Sequence, residues 1–368
     1  MKILHLTNNL GSGGSEKLLT DILPLMKEEG HEVHLAYANA NRNVAVYEQT
    51  LRKEKIRLID FGLTFYNPLL LLKLVLLLQR ESYDIVHAHI FPTQYWLAMA
   101  AYLKPAKTRL VKTEHNVFNN RRKRKQLLRL ERWVYQRYAS VIAITAEVAE
   151  ALETWLGNYS QIVVIPNGVN LRQLQQIREG GDAQQQNAYD FLDPEHYNLL
   201  MTGRFNGHAK DQQTLIKALR LLPENFHLFF AGEGELMNEA KELVKKLQLT
   251  DRTVFLGLRT DVYQLMNAVD LNVLSTKYEG LSGVTLEALA SGKPFIGSDV
   301  HGVNTIVPDG RFLFPPQKPD QLAAKVVEIA MKPALAADMV KTALAHVTQF
   351  DISHMVRKYL AHYQQVSL

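Results

Sequence analysis

The chain has 368 residues, 47% of them hydrophobic and 21% charged, a globular balance with enough apolar side chains for two domains rather than one. A net charge of +5 suits an anionic ligand or an anionic membrane face but requires neither. The absence of cysteine excludes disulfides, thiolate nucleophiles and Cys-ligated zinc.

The first residues, Met1 to Thr7, read as a strand and not as a signal peptide. The longest apolar run, Leu69 to Leu78, is ten residues long, contains Lys73, and is too short to span a bilayer. A cytoplasmic protein is the expectation. After the first strand comes Gly11-Ser12-Gly13-Gly14-Ser15-Glu16, then a helix over Lys17 to Glu29 closed by Gly30. This is a first βα unit of nucleotide-binding type. It departs from the dinucleotide fingerprint, because Glu16 stands where the third glycine belongs and no acidic residue ends the next strand, Glu32 to Tyr37. A nicotinamide cofactor is therefore not expected. A glycine here lets a substrate or phosphate approach the backbone, and Gly14 is the candidate.

Further strands are expected over 55–61, 84–89, 108–114, 140–144 and 161–165, with helices between most of them. Pro68 to Arg80 is nearly all leucine and reads as a helix buried against the sheet rather than a membrane-surface element. His87 and His89 share one side of a strand end, but a metal site needs a third ligand and no carboxylate is conveniently placed. Thr113-Glu114-His115-Asn116 closes another strand at the end where α/β ligand crevices open. His115 is a candidate donor of a proton or hydrogen bond to an anionic substrate, or a structural strand-end histidine. The dense basic cluster, Arg121-Arg122-Lys123-Arg124-Lys125, precedes an amphipathic stretch, Leu127 to Tyr138, with Arg129, Arg132 and Arg137. It is a solvated helix face or, across 121–137, a surface for anionic lipid or an acidic acceptor. Nucleic acid is not expected as a partner, because no interleaved stacking aromatics or nucleic-acid motif is present.

Pro166-Asn167-Gly168-Val169 marks a boundary between domains, and the polar stretch Gly180 to Glu195 reads as a flexible excursion. A second α/β series starts with a strand at Asn198 to Thr202. The loop after it carries Arg204 and Lys210, a fork donor and a point charge of the kind a diphosphate needs. Strands follow at Phe226 to Ala231, ending in Gly232-Glu233-Gly234-Glu235, and at Thr253 to Leu256, ending at Gly257. The strand Asp270 to Leu274 then leads through Glu279-Gly280-Leu281-Ser282-Gly283 into a helix beginning near Val284. Strand, glycine loop and helix aim free N–H groups and the positive helix end at whatever lies over the loop. Glu279 and Glu287 frame it as acceptors for sugar or ribose hydroxyls. An ordinary βα turn with two solvated glutamates is the plainer alternative. Short strands at 295–298 and 311–314 and a helical segment, Phe350 to Gln365, complete the chain.

Taken together, Gly203-Arg204 with Lys210, Gly232-Glu233-Gly234-Glu235-Leu236, Phe255-Leu256-Gly257 and Glu279-x7-Glu287 with Ala290-Ser291-Gly292-Lys293-Pro294 closely resemble the retaining glycosyltransferases of family 4. The N-terminal glycine loop, Asp84-Ile85-Val86-His87-Ala88-His89 and Pro166-Asn167-Gly168-Val169 resemble that family as well, so the likeness covers nearly the whole chain.

The resemblance implies an α/β GT-B fold, two Rossmann-like domains facing a central cleft. Residues 1–168 would bind the acceptor, residues 169–348 the nucleotide sugar, and a helix in 349–368 would cross back to the first domain. Arg204 and Lys210 would hold the donor diphosphate and stabilise the departing nucleotide. Glu279 would contact the transferred sugar and Glu287 the ribose. N–H groups around Leu281, Ser282, Gly283 and Val284 would face sugar and phosphates, and the base would lie near Leu258. Gly14 and His115 would face the cleft. No metal is expected, consistent with the lack of any Asp-x-Asp. The acceptor would be a glycan, lipid-linked or polysaccharide precursor met in the cytoplasm or at the inner membrane face. Leu281 and Ser282 stand where an aromatic and then glycine are frequent, and 301–305 lacks a frequent glutamate, so the donor sugar is left open. A nucleotide-sugar epimerase-type enzyme on this fold and a non-catalytic partner subunit are the competing readings. The joint presence of Arg204, Lys210, Glu279 and Glu287 argues against the latter.

Overall fold

Alternating strands and helices build two parallel sheets, each in its own unit. The computed structural model describes residues 1–103, 108–117, 120–157, 159, 161–180, 189–206 and 209–367. Gly207 and His208 of the second cationic loop, and most of the polar excursion after Gly180, lie outside the described residues.

The first unit comprises Met1–Asn167 together with the C-terminal segment from Ile352. Its strands are β1 (Lys2–Thr7), β2 (Glu32–Tyr37), β3 (Arg57–Asp60), β4 (Ile85–Ala88), β5 (Arg109–Glu114), β6 (Ser140–Ala143) and β7 (Ile162–Val164), in the order β3-β2-β1-β4-β5-β6-β7. The second unit, Gly168–Asp351, holds β8 (Tyr197–Thr202), β9 (Phe226–Ala231), β10 (Thr253–Phe255), β11 (Leu271–Leu274), β12 (Phe295–Ser298) and β13 (Leu313–Phe314), in the order β10-β9-β8-β11-β12-β13. Central strands such as β4 and β11 are buried along their whole length, so they show no alternation of buried and exposed positions, and their one polar residue each, His87 and Asn272, is buried with the rest.

In each sheet the order reverses beside the unit's first strand. The crossovers on either side of such a switch point leave a crevice at the carboxyl ends of the two strands. In the first unit these are β1 and β4, followed by the glycine loop and by His89. In the second they are β8 and β11, followed by the Arg204–Lys210 loop and the Glu279 loop.

The core of the first unit packs Ile3, Ile85, Val111 and Ile142 of the sheet with Leu19, Ile22 and Met26 of the helix Gly14–Glu28. Met355, Val356, Tyr359 and Tyr363 of the C-terminal helix Ile352–Ser367 belong to that same core. The leucine-rich helix differs from expectation. Only Leu70, Leu74 and Leu78, on one stripe of the helix Leu69–Arg80, are buried, while Leu69 and Leu72 are each 55% exposed. A helix on the outside of a sheet has one face to bury, and here the chain supplies more leucine than that face uses. No helix among the described residues is long and apolar enough to cross a membrane.

Candidate functional site

The switch point of the second unit is built by two loops laid against each other. Asp211 N–H donates to Ser275 O at 2.9 Å and Lys277 N–H to Ala209 O at 2.7 Å, and Lys210 pairs with Thr276 as an antiparallel bridge. This ladder carries Lys210 over Glu279, with Nζ 2.6 Å from Oε1. Both side chains are mostly enclosed, 17% and 16% exposed, so the pair is screened less than a surface ion pair. Thr276 Oγ1 contacts the same carboxylate at 3.1 Å and also bonds Ala209 O at 2.9 Å, which ties the carboxylate to both loops. Asp211 then caps the helix Gln212–Leu219, its carboxylate accepting from Thr214 Oγ1 at 2.7 Å. Arg204 stands apart from this pair. It is exposed, and its guanidinium has no hydrogen bond or ion pair among the described residues.

Glycines set the spacing of these loops. Gly232 and Gly234 have positive φ, and a Cβ would lie 2.1 Å from Gly203 O and 2.4 Å from Phe205 O respectively. The Gly-Glu-Gly turn after β9 thus lies directly against the Gly-Arg-Phe turn after β8. Phe205 N–H donates to Glu233 O, and Leu236 N–H to Phe205 O. Gly302 has φ +80°, and a Cβ there would lie 2.4 Å from Gly280 O. Its own carbonyl accepts from Ser282 N–H at 3.0 Å, which clamps the Glu279 loop from the other side.

The helix Gly283–Ala290 starts where expected, and Ser282 is its N-cap. The Ser282 hydroxyl accepts from Thr285 N–H and Oγ1–H, and its N–H is taken by Gly302. Ser282 is buried and serves the loop, which leaves Gly283 and Val284 as the first helical N–H groups without an intrahelical acceptor. A Cβ on Gly283 would meet nothing within 4 Å, so that side of the helix end is open. Leu281 and Val284 are half-buried and pack on the core. Further along the helix, the Glu287 carboxylate accepts a long contact, 3.4 Å, from Tyr263 Oη. Leu258 is exposed, with its N–H on Glu233 Oε1 at 3.2 Å. Beside it Arg259 pairs with Asp261, whose carboxylate also accepts from Tyr189 Oη.

In the first unit, Gly14 is the first residue of its helix and is exposed, with open space where a Cβ would point. Gly13 is the close-contact glycine, lying under the Glu16 carboxylate. His115 follows β5. Burial lowers its imidazole to about 4, so it is neutral at pH 7 and able to donate or accept a hydrogen bond, but it carries no imidazolium proton to give. Its Nε2 is enclosed and without a partner among the described residues.

The basic cluster is split by folding. Arg121 turns inward onto Glu131 at 3.0 Å and stacks over Phe91, while Arg122 reaches Val117 O and the Glu114 carboxylate. Glu114 in turn takes Lys112 Nζ at 3.1 Å and Tyr135 Oη at 2.7 Å. Burial opposes the Glu114 charge, but Lys112, Arg122 and the tyrosine outweigh it and hold the carboxyl at about 2. Lys123, Arg124 and Lys125 of the cluster stay exposed, as do Arg129, Arg132 and Arg137 of the stretch after it. Sequence reasoning missed Thr276, Tyr263 and Gly302. Threonine and tyrosine carry no motif signal, and Gly302 was noticed only for a neighbouring residue it lacks.

Two family models match the chain. Residues 12–173 match Glycosyltransferase Family 4 and residues 196–332 match Glycosyl transferases group 1, so together they span most of it. The chain is 25% identical over 311 residues to the putative glycosyltransferase EpsF of Bacillus subtilis, covering 81% of this chain and 79% of that one. It is 29% identical over 248 residues to the UDP-Gal:alpha-D-GlcNAc-diphosphoundecaprenol alpha-1,3-galactosyltransferase of Escherichia coli, covering 64% of this chain and 63% of that one. Among solved structures, HepE of Anabaena, crystallised with UDP and glucose, superposes with a TM-score of 0.83 at 22% identity and 99% coverage of both chains. That likeness is one of fold.

Proposed function

The chain belongs to glycosyltransferase family 4, with the two parallel sheets of a GT-B glycosyltransferase, and from that premise we propose that it transfers a hexosyl group, with retention, from a nucleoside diphosphate sugar to a hydroxyl of a lipid-linked or polysaccharide-precursor acceptor. The observation that carries the reading is the Lys210–Glu279 pair at the switch point of the second unit. Uridine is the leading candidate for the base, because the Escherichia coli relative is named for a UDP-sugar and HepE was crystallised with UDP.

Without donor, Lys210 and Glu279 neutralise each other. A diphosphate placed between Arg204 and the free N–H groups of Gly283 and Val284 offers Lys210 a second anion. Lys210 then moves its charge onto the phosphate, and Glu279 is released to accept hydroxyls of the sugar. Glu287 takes the ribose hydroxyls, and Leu258 packs on the base. The anomeric C–O bond breaks with its electrons passing to the phosphate, whose developing charge Arg204 and Lys210 stabilise. The acceptor oxygen attacks from the face the phosphate leaves, and its proton passes to a phosphate oxygen. Leu281 and Ser282 shape the loop under the sugar. Gly14 leaves room for the acceptor, and neutral His115 hydrogen-bonds to it. These side-chain cations supply the positive charge, so the reaction proceeds without a metal at the diphosphate. An acceptor carried on a lipid brings the enzyme to an anionic membrane face, with Lys123, Arg124, Lys125 and Arg129 as the cations that meet it.

Calorimetric titration with UDP-, GDP- and ADP-sugars, without metal and then with magnesium, tests the reading. Binding of one nucleotide class, indifferent to magnesium, is expected. Failure of every class to bind would overturn it.

A further inference from the structure

The parallel pairing of β1 with β4 sets His5 opposite His87, and His89 follows two residues beyond His87 on the same side. A third imidazole therefore joins the pair that the sequence shows, His5 lying 84 residues before His89 in the chain. His5 and His87 are fully buried and His89 is nearly so. One ring nitrogen from each lies within 4.8 Å of the other two. The ring centroids are 5.3, 5.1 and 4.1 Å apart. Three imidazoles on one tetrahedral ion, with metal–nitrogen bonds of about 2.0–2.1 Å, have centroids roughly 5 Å apart.

We propose that His5, His87 and His89 form a binding site for a divalent transition-metal ion of the zinc, cobalt or nickel class, inside the first unit beneath the C-terminal helix. The donor set is three nitrogens with no carboxylate among them, which suits these ions and not magnesium or calcium. His5 Nε2 is enclosed and has no partner among the described residues. Leaving such an atom unmet is unfavourable, and an ion satisfies it. His87 is already oriented, with Tyr363 Oη at Nδ1 and Thr113 Oγ1 at Nε2. Whichever nitrogen takes the ion, the other keeps a hydroxyl partner, the arrangement that fixes a metal-bound imidazole. On binding, the stacked His87 and His89 rings swing apart. His5 meets the ion through Nε2, because its Nδ1 already has His89 Nε2 at 2.8 Å. The ion then pins β1 to β4 and, through Tyr363, to the C-terminal helix. Its role is structural. All its ligands lie in the first unit, whereas Arg204, Lys210, Glu279 and Glu287 lie in the second, so this site and the donor site stand or fall separately.

The cluster is closed to solvent, so the ion enters during folding. The test is to unfold the full chain with chelator, refold it with Co2+, and dialyse, with circular dichroism to check the refolded state. One Co2+ per chain is expected, with the strong visible absorption of a four- or five-coordinate nitrogen-ligated ion and a higher thermal midpoint than the metal-free chain. His5→Gln and His89→Gln should lose the absorption, and His227→Gln, in the second unit, should keep it. Expression in zinc-supplemented medium and metal analysis of the natively purified protein give a second route. If the variants do not fold, X-ray absorption of the zinc form decides, since a shell of three nitrogens at about 2.0–2.1 Å supports the site. Substoichiometric metal by both routes, an oxygen-only shell, or an unchanged signal in folded His5→Gln overturns the proposal.

Discussion

Lys210 and Glu279 meet at 2.6 Å although 69 residues separate them in the chain. The lysine sits on the loop after β8 and the glutamate on the loop after β11, and only the adjacency of those strands joins them. Each neutralises the other, so a change at one changes the partner's surroundings. Lys210→Ala is expected to lower kcat by about ten- to a hundredfold, the equivalent of a charged hydrogen bond of about 1.5–3 kcal/mol. Adding Glu279→Ala should cost less than it does alone, because the two act as a unit. Steady-state kinetics of the two single variants and the double variant measure this, and strictly additive losses would show that the pair does not work together.

The carboxylate of Glu287 is the expected ribose acceptor, and it has a partner that no motif announces. Glu287→Ala should weaken nucleotide binding about ten- to a hundredfold by the same charged-bond magnitude. Tyr263→Phe should weaken it less, since a 3.4 Å contact is a poor hydrogen bond. Calorimetry with the preferred nucleotide ranks the two, and wild-type affinity in Glu287→Ala would remove the assignment.

Gly302 touches no expected ligand, yet its φ of +80° and its contact with Gly280 O leave no room for a Cβ. Gly302→Ala must shift the Glu279 loop, with strain of about 1–3 kcal/mol. The expected outcome is a fall in kcat with a thermal midpoint lowered by only a few degrees, read by differential scanning calorimetry beside the kinetics. Full activity in this variant would show that the loop's position is not tuned to the reaction.

Glu114 predicts an acid-sensitive first unit. Its folded carboxyl is held at about 2 against an ordinary 4.5, so its stabilising contribution is complete above about 4.5 and is lost as pH falls towards 2. Glu114→Gln should flatten that acid limb. At neutral pH it should destabilise by about 3–5 kcal/mol, because Lys112, itself lowered by burial to about 8, loses its carboxylate. Urea unfolding across the pH range reads both effects, and an acid limb as steep as the wild type's would place the sensitivity elsewhere.

With Arg121 and Arg122 folded inward, the membrane attraction proposed above would rest on the exposed cations. Replacing Lys123, Arg124 and Lys125 together by glutamine should weaken binding to phosphatidylserine-containing vesicles by about 1 kcal/mol per charge. Sedimentation with vesicles tests this, and equal binding to neutral and anionic vesicles would rule out the electrostatic role.

The βα alternation, both glycine-rich turns and the start of the helix Gly283–Ala290 were legible in the sequence, because strand and helix periodicity and glycine's backbone freedom are local properties. The cations and carboxylates of the second unit were legible as chemistry, but their partners were not. Lys210 was read toward a phosphate and Glu279 toward a sugar, and their contact with each other depends on a strand order that periodicity does not encode. His87 and His89 were read without a third ligand because His5 is brought beside them by β1–β4 pairing. Arg121 and Arg122 were read as surface charge until Glu131 and Glu114 drew them in.

By itself the sequence determined the class of fold, the two-unit organisation and the family, since these rest on patterns read along the backbone. The tertiary structure alone decided which charges cancel, which histidines converge, and which leucines of the helix Leu69–Arg80 stay in water. Those outcomes depend on distances of a few ångströms between segments far apart in the chain, and only packing sets them.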